Sequence, residues 1–372
     1  MPPGPYQTAR KEPAERPPPE KGLFPAMPGK GVNAHPKLVA RPVPPEKAED
    51  GPAPEELGIP GRSGLFLGPA SDEPWRLFRM LSGGRRSLVL SGAHPARLRL
   101  RFGLDEAELV WLSAYAGSKE ETLAPQTLEY ELLGRTNRHF RSHRGSILLL
   151  DDLDYLASQC GFGPVVRFVK SVADSAAELR GTFLACADPE AFSARERAAL
   201  SSLFDAVRKV PPAERAAPAV LSLQPAPGCL VVGRPEDAYR RLEAASRSGR
   251  ALCITPNAPR KLKERYDLLR ASFLWLSESA AGEGVIRPQE YAVEGQRAVL
   301  RHLRAGPGAL VLLDGLESLR LYGDNAQLLR FIKGAIDAAA ECGGAVLASL
   351  APGALDPPAE ASVRRRFETV LG

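Results

Sequence analysis

The chain has 372 residues, of which 44% are hydrophobic and 25% charged, with a formal net charge of +5. That composition places it among soluble globular chains of about two domains. No run approaches the ~20 apolar residues of a membrane-crossing helix, and five scattered cysteines without a C-x-x-C pair exclude a disulfide or zinc framework as the organising principle.

Residues 1–62 hold 16 prolines, mixed charges and almost no apolar periodicity. Such a segment buries too little surface to offset the entropy of ordering, so a disordered, proline-rich tail is expected. Its opening, MPPGPYQTARKEPAERPPPEK, has no hydrophobic leader core, which makes the cytoplasm the expected compartment.

From residue 63 onward the chain repeats itself. VWLS at 110–113 returns as LWLS at 274–277, offset by 164, and ILLLDDLDYL at 147–156 returns as LVLLDGLESL at 310–319, offset by 163. RFVK at 167–170 returns as RFIK at 330–333, and Pro189 and Phe204 pair with Pro352 and Phe367, all offset by 163. Matches in one order with so little drift mean duplication: one repeat over 63–210, a linker over 211–227 and a second repeat over 228–372.

The second repeat shows the alternation most plainly. CLVV, ALCIT, SFLWLS, ALVLLD and AVLASL are short apolar strands. Between them lie helical stretches: PEDAYRRLEAASRSG, PRKLKERYDL, PQEYAVEGQRAVLRHLR and NAQLLRFIKGAIDAAAECG, with PAEASVRRRFETVL expected as a last helix. Continuously apolar strands separated by helices predict a mainly parallel sheet covered on both faces, a doubly wound α/β fold built twice.

LVLLDGLESL is how a buried strand ends in the magnesium-supporting aspartate of an ATPase, so Asp314 and its counterpart Asp151 are candidate site residues. The phosphate-binding partner of that motif is missing, because no G-x-x-x-x-G-K-[ST] occurs in the chain. In its place stand GPASDEPW (68–75) and GRPEDAYR (233–240), with Asp72, Glu73, Glu236 and Asp237 at a helix start. Acids there stabilise the helix by ~0.3–1 kcal/mol each. Against a triphosphate, each like-charge pair at ~6 Å and an effective dielectric of ~20 costs about 3 kcal/mol. A second reading of D-D-L-D (151–154) and D-G-L-E (314–317) has the first aspartate capping the following turn.

Ligands of open parallel sheets bind outside the carboxyl ends of the strands. The residues placed there are Asp151, Asp152, Asp314, Ser113 and Ser277, the candidate ligand-binding set. Trp111 and Trp275, inside apolar strands, are expected in the core. Of the 49 basic residues only 11 are lysines, read here as genome composition. GRTNRHFRSHRG (134–145), RKLKER and VRRRF are the densest basic stretches, expected as solvated helix faces. His139 and His143 have zinc-compatible spacing but no third ligand nearby, so no metal and no cofactor are assigned. No nucleophile with a matching base is found, and the chain is expected not to be an enzyme.

At these motifs the chain resembles the archaeal domain of unknown function 835. The second repeat carries the pattern through GCLVVG, SGRALCIT, PRKLKERYDL, FLWLS, IRP, VLLDGLESL, FIK and RRRFE, and the first more loosely through SLVLSG, LVWLS, LAP, ILLLDDLDYL and VVRFVK. The resemblance implies a degenerate RecA-like ATPase relative that has lost its phosphate loop, and a place in signalling. The chain departs from it in carrying Gly92 and Pro256 where an arginine is usual. Tyr155 and Phe162 are kept in the first repeat but replaced by Ser318 and Asn325 in the second.

Three functions follow as expectations. The first is a non-catalytic scaffold or signalling module working through protein partners, its repeats packed as an intramolecular pseudo-dimer. The second is a sensor of nucleotide or another small ligand at the strand ends. The third is a basic accessory protein holding nucleic acid through Arg135, Arg138 and Arg141.

Overall fold

The computed structural model describes residues 59–115, 118–211, 226–247 and 250–372. The expected disordered tail therefore lies, up to residue 58, outside the described residues, as does the linker over 212–225.

The first repeat contributes seven strands: β1 Ser63–Leu67, β2 Ser87–Ser91, β3 Glu108–Leu112, β4 Thr122–Leu123, β5 Ile147–Leu150, β6 Thr182–Ala187 and β7 Ala206–Lys209. Its helices are α1 Glu73–Ser82, α2 Pro95–Phe102, α3 Leu133–Ser142, α4 Leu153–Cys160, α5 Phe162–Glu178 and α6 Ala194–Ser201. The second repeat has strands β8 Gly228–Val232, β9 Ala251–Thr255, β10 Ser272–Leu276, β11 Val285–Ile286, β12 Leu310–Leu313, β13 Ala345–Leu350 and β14 Thr369–Leu371. Its helices are α7 Pro235–Ser246, α8 Pro259–Arg265, α9 Gln296–Arg304, α10 Leu316–Arg320, α11 Asn325–Cys342 and α12 Pro357–Arg366.

Both sheets are parallel throughout and share one order, β4-β3-β2-β5-β6-β1-β7 and β11-β10-β9-β12-β13-β8-β14. The duplication reaches fine detail: each repeat has a π-helical turn, Leu128–Leu132 and Tyr291–Gly295, entering α3 and α9. Period-two alternation in the strands feeds two cores per sheet. Leu65, Leu88, Leu90 and Leu148 face α4 and α5, whereas Phe66, Val89, Ile147 and Leu149 face α1 and α2.

Five strands per repeat were expected, and each has seven. The added edge strands are only two to four residues long, too short for a periodic pattern. The expected last helix is corrected as well. It ends at Arg366, and Thr369–Leu371 runs extended beside β8, where a β-branched Thr-Val pair suits a half-exposed edge.

The site's position follows from the winding. The helix after β2 packs its Leu98 on one face of the sheet, and the helices after β5 pack Leu156 and Phe168 on the other. The carboxyl ends of β2 and β5 therefore flank a crevice, and β9 and β12 flank its counterpart. Both sheets fall within one compact unit. Among the described residues no helix is long and apolar enough to cross a membrane.

Candidate functional site

At the end of β5 the chain leaves the sheet through Asp151 and Asp152 and enters α4, with Asp154 in its first turn. All three carboxyl groups meet two arginines from the end of α12. Arg366 grips Asp152 bidentately, Nη1 to Oδ2 at 2.9 Å and Nη2 to Oδ1 at 2.6 Å, and Nη2 also reaches Asp154 Oδ2 at 3.0 Å. Arg365 donates to the Asp151 carbonyl at 2.7 Å, and its Nε lies 3.1 Å from Asp154 Oδ1. The Arg366 guanidinium covers the Tyr155 ring at 4.8 Å. Both arginine side chains are buried.

The titration behaviour follows from three acids facing two guanidinium groups. Burial pushes the Asp151 carboxyl up to about 7, only partly opposed by Arg365. Burial also works against charge on Asp152, but the charge and hydrogen bonds of Arg366 outweigh it and hold that carboxyl below its ordinary value. Burial raises the Asp154 carboxyl as well, opposed by the charges of Arg365 and Arg366.

Beside this cluster α11 lies across the strand ends. Ser113 donates to Asp337, which also pairs with Lys333, and the Lys333 ammonium stands 5.2 Å over the ring of Trp111. Further along, Glu341 accepts from Ser118 and meets His94 Nε2 at 3.3 Å. At the start of α11, Gln159 donates to the Ala326 carbonyl and accepts from Arg330, each at 3.2 Å. The first repeat's strand ends are thus the seat of the second repeat.

The second repeat's own strand ends are built differently. Asp314 is buried and accepts from Tyr239, from Thr255 Oγ1 at 2.7 Å, from Ser349 Oγ at 2.9 Å and from Asn257 Nδ2 at 3.2 Å. Ser277, at the end of β10 and separated from Asp314 by β9, accepts from the Ala280 amide at 3.0 Å. The candidate set therefore divides. Asp151, Asp152 and Ser113 lie at the joint, and Asp314 and Ser277 lie in the second repeat without forming one site.

Several expectations need correction. The capping reading of the aspartates does not hold, since Asp152 stands at the N-cap of α4 without a capping bond and Gly315 takes that place at α10. The acids at the helix starts are less repulsive than their charge implied, because Asp72 binds Arg101 at 2.7 Å and Glu73 pairs with Arg208. Trp111 is fully buried as expected, partly under Lys333, whereas Trp275 is only half-buried. His139 is buried with Nε2 3.2 Å from the Ile147 carbonyl, and burial lowers its pKa to about 4. Among the described residues no group of three or more His, Cys, Asp and Glu is placed to hold a metal ion.

Arg365, Arg366, Lys333 and Asp337 were missed as site residues. A signal for the two arginines existed. Asp152 and Asp154 have Gly315 and Glu317 as counterparts, and Arg365 and Arg366 have Ser202 and Leu203. An acid present in the first copy alone, Asp152, and two arginines present in the second alone mark a contact between the copies.

A cleft of about 400 Å³ adjoins the joint, lined among others by Ser71, Asp72, Arg97, Arg101, Lys333 and Arg365.

The sequence signature of a family described as Protein of unknown function (DUF835) matches residues 70–204 and, a second time, residues 233–367. No curated protein matches the chain.

Proposed function

The chain belongs to the DUF835 family, whose domain it carries twice, and from the way the two copies meet we propose that it is a non-catalytic scaffold or signalling module acting through protein contacts. The observation that carries this reading is the arginine pair of α12 seated on Asp151, Asp152 and Asp154. In an open parallel sheet that position ordinarily receives a ligand; here side chains of the same chain fill it. Asp314 supports the reading from the other repeat, since four donors already surround its carboxylate. The working unit is an intramolecular pseudo-dimer.

A small-ligand sensor is the second reading, favoured by the cleft beside the joint. Arg97, Lys333 and Arg365 border it, and the charge of Asp72 is partly met by Arg101. The nucleic-acid reading has less support, because Arg135 is held by Glu108 at 2.7 Å and Glu121 at 2.9 Å.

Calorimetric titration of ATP, ADP, GTP and cyclic nucleotides into the full chain, with and without magnesium, tests the reading. No binding heat is expected. Micromolar binding lost in Asp314→Ala makes the second repeat a nucleotide site, and binding lost in Arg97→Ala assigns the ligand to the cleft; either result overturns the scaffold reading.

A further inference from the structure

The joint between the repeats uses two different surfaces, strand ends on one side and the α11–α12 face on the other. A joint of that kind leaves one of each surface unused: the strand ends of the second repeat and the α5–α6 face of the first. We propose that these two unused surfaces bind each other between molecules, so that the chain associates head to tail with further copies of itself. The inference rests on the reading of the strand ends as seats for helices.

The polar row of the helix side is duplicated on α5. Lys170, Asp174 and Glu178 on α5 are the counterparts of Lys333, Asp337 and Glu341 on α11. In α11 the lysine–aspartate pair is shut beneath the first repeat, its side chains 5% and 4% exposed. In α5 the same pair is formed, at 3.0 Å, with side chains 63% and 66% exposed. A buried, partnered pair has an identical twin standing in solvent.

The seat is duplicated too. The Trp111 indole donates to the Gly92 carbonyl at 3.1 Å, and the Trp275 indole donates to the Pro256 carbonyl at 3.2 Å. Ser277 holds the place of Ser113. At the counterparts of Ser158 and of Gln159, which meets the start of α11, the second repeat carries Leu321, 82% exposed, and Tyr322, 37% exposed. Large apolar side chains left open at the place where the twin surface makes contact are what an unfilled seat presents.

Charge fits the same arrangement. The arginines are missing from the unused helix side, where Ser202 and Leu203 stand, and on the unused seat Gly315 replaces the acid that Arg366 grips while Asp314 and Glu317 remain, so docking buries no unpaired guanidinium. The contact between molecules is accordingly weaker than the internal one and reversible. Because it is heterologous, it extends to open chains or closed rings instead of stopping at a dimer.

Sedimentation velocity of the full chain across a concentration series tests this, with Asp174→Arg blocking the helix side and Leu321→Arg blocking the seat. Both positions are exposed, so each variant retains its fold by circular dichroism. The wild type is expected to grow beyond a dimer as concentration rises, and each variant alone to associate at least about tenfold more weakly. An equimolar mixture of the two variants, which together hold one intact helix side and one intact seat, is expected to form a dimer and nothing larger. A wild type that stays monomeric overturns the proposal, as does association insensitive to either variant or a mixture that does not dimerise. If the two repeats still unfold as one unit in such a case, the internal seat stands and only the self-association fails.

Discussion

Gly92 lies where two chains of side-chain contacts cross. A Cβ at that position overlaps Asp152 Oδ2 and comes within 3.3 Å of Lys333 Cε, so the close approach of the repeats requires glycine there. Gly92→Ala is expected to lower stability by about 1–3 kcal/mol in denaturant unfolding. Gly134, an open position in α3, is the control, and its alanine variant should gain ~0.5–1 kcal/mol. Asp151 gives a pH dependence of definite sign. Its folded pKa, about 7, lies above the ordinary carboxylate value, so the folded state holds the proton more tightly. This group's contribution to stability is therefore full below the unfolded pKa and falls as pH rises towards 7. Asp151→Asn should remove that decline and melt above the wild type at pH 8; an unchanged difference between the two at pH 4 and pH 8 contradicts the assignment. At this scale the sequence placed Asp151, Asp152 and Ser113 at strand ends, which is where they are. It did not reveal their partners, because Arg365 and Arg366 lie more than two hundred residues away on another repeat.

Among the elements, α5 and α11 make the most direct comparison, since similar helices with the same lysine–aspartate spacing sit in different surroundings. Lys333→Ala leaves Asp337 buried without its cation and is expected to cost roughly 3–5 kcal/mol. Lys170→Ala removes an exposed pair and should change stability in dilute solution by no more than about 0.5 kcal/mol. Equal effects from the two substitutions contradict the burial that distinguishes the helices. The alternation of strand and helix was legible because each central strand is a continuous apolar run and each long helix shows its own period. The edge strands were not legible: β4 and β11 have two residues each, and β14 follows α12 after only two residues, so nothing in the pattern separates it from the helix before it. The turn after β5 was misread because D-D-L-D has the spacing of a capping box, while the carboxylates turn outward to the arginines of α12.

For the molecule as a whole, duplication predicted the repetition of the fold, and the departures from duplication locate the joint. A symmetrical pair of repeats has no reason to place Asp152 in one copy alone and Arg365 and Arg366 in the other alone, so the differences between copies carry more information about assembly than the similarities. The central claim is that the strand ends of the first repeat are a structural seat locking the two repeats into one unit. Denaturant unfolding tests it most directly, followed by far-UV circular dichroism for both repeats and by tryptophan fluorescence in Trp275→Phe, where Trp75 reports the core of the first repeat and Trp111 its strand ends beneath Lys333. The account predicts coincident transitions in the protein with both arginines, and two separated transitions once Arg365 and Arg366 are replaced by alanine. Separate transitions with the arginines in place, or a coincident and undiminished one without them, contradict it.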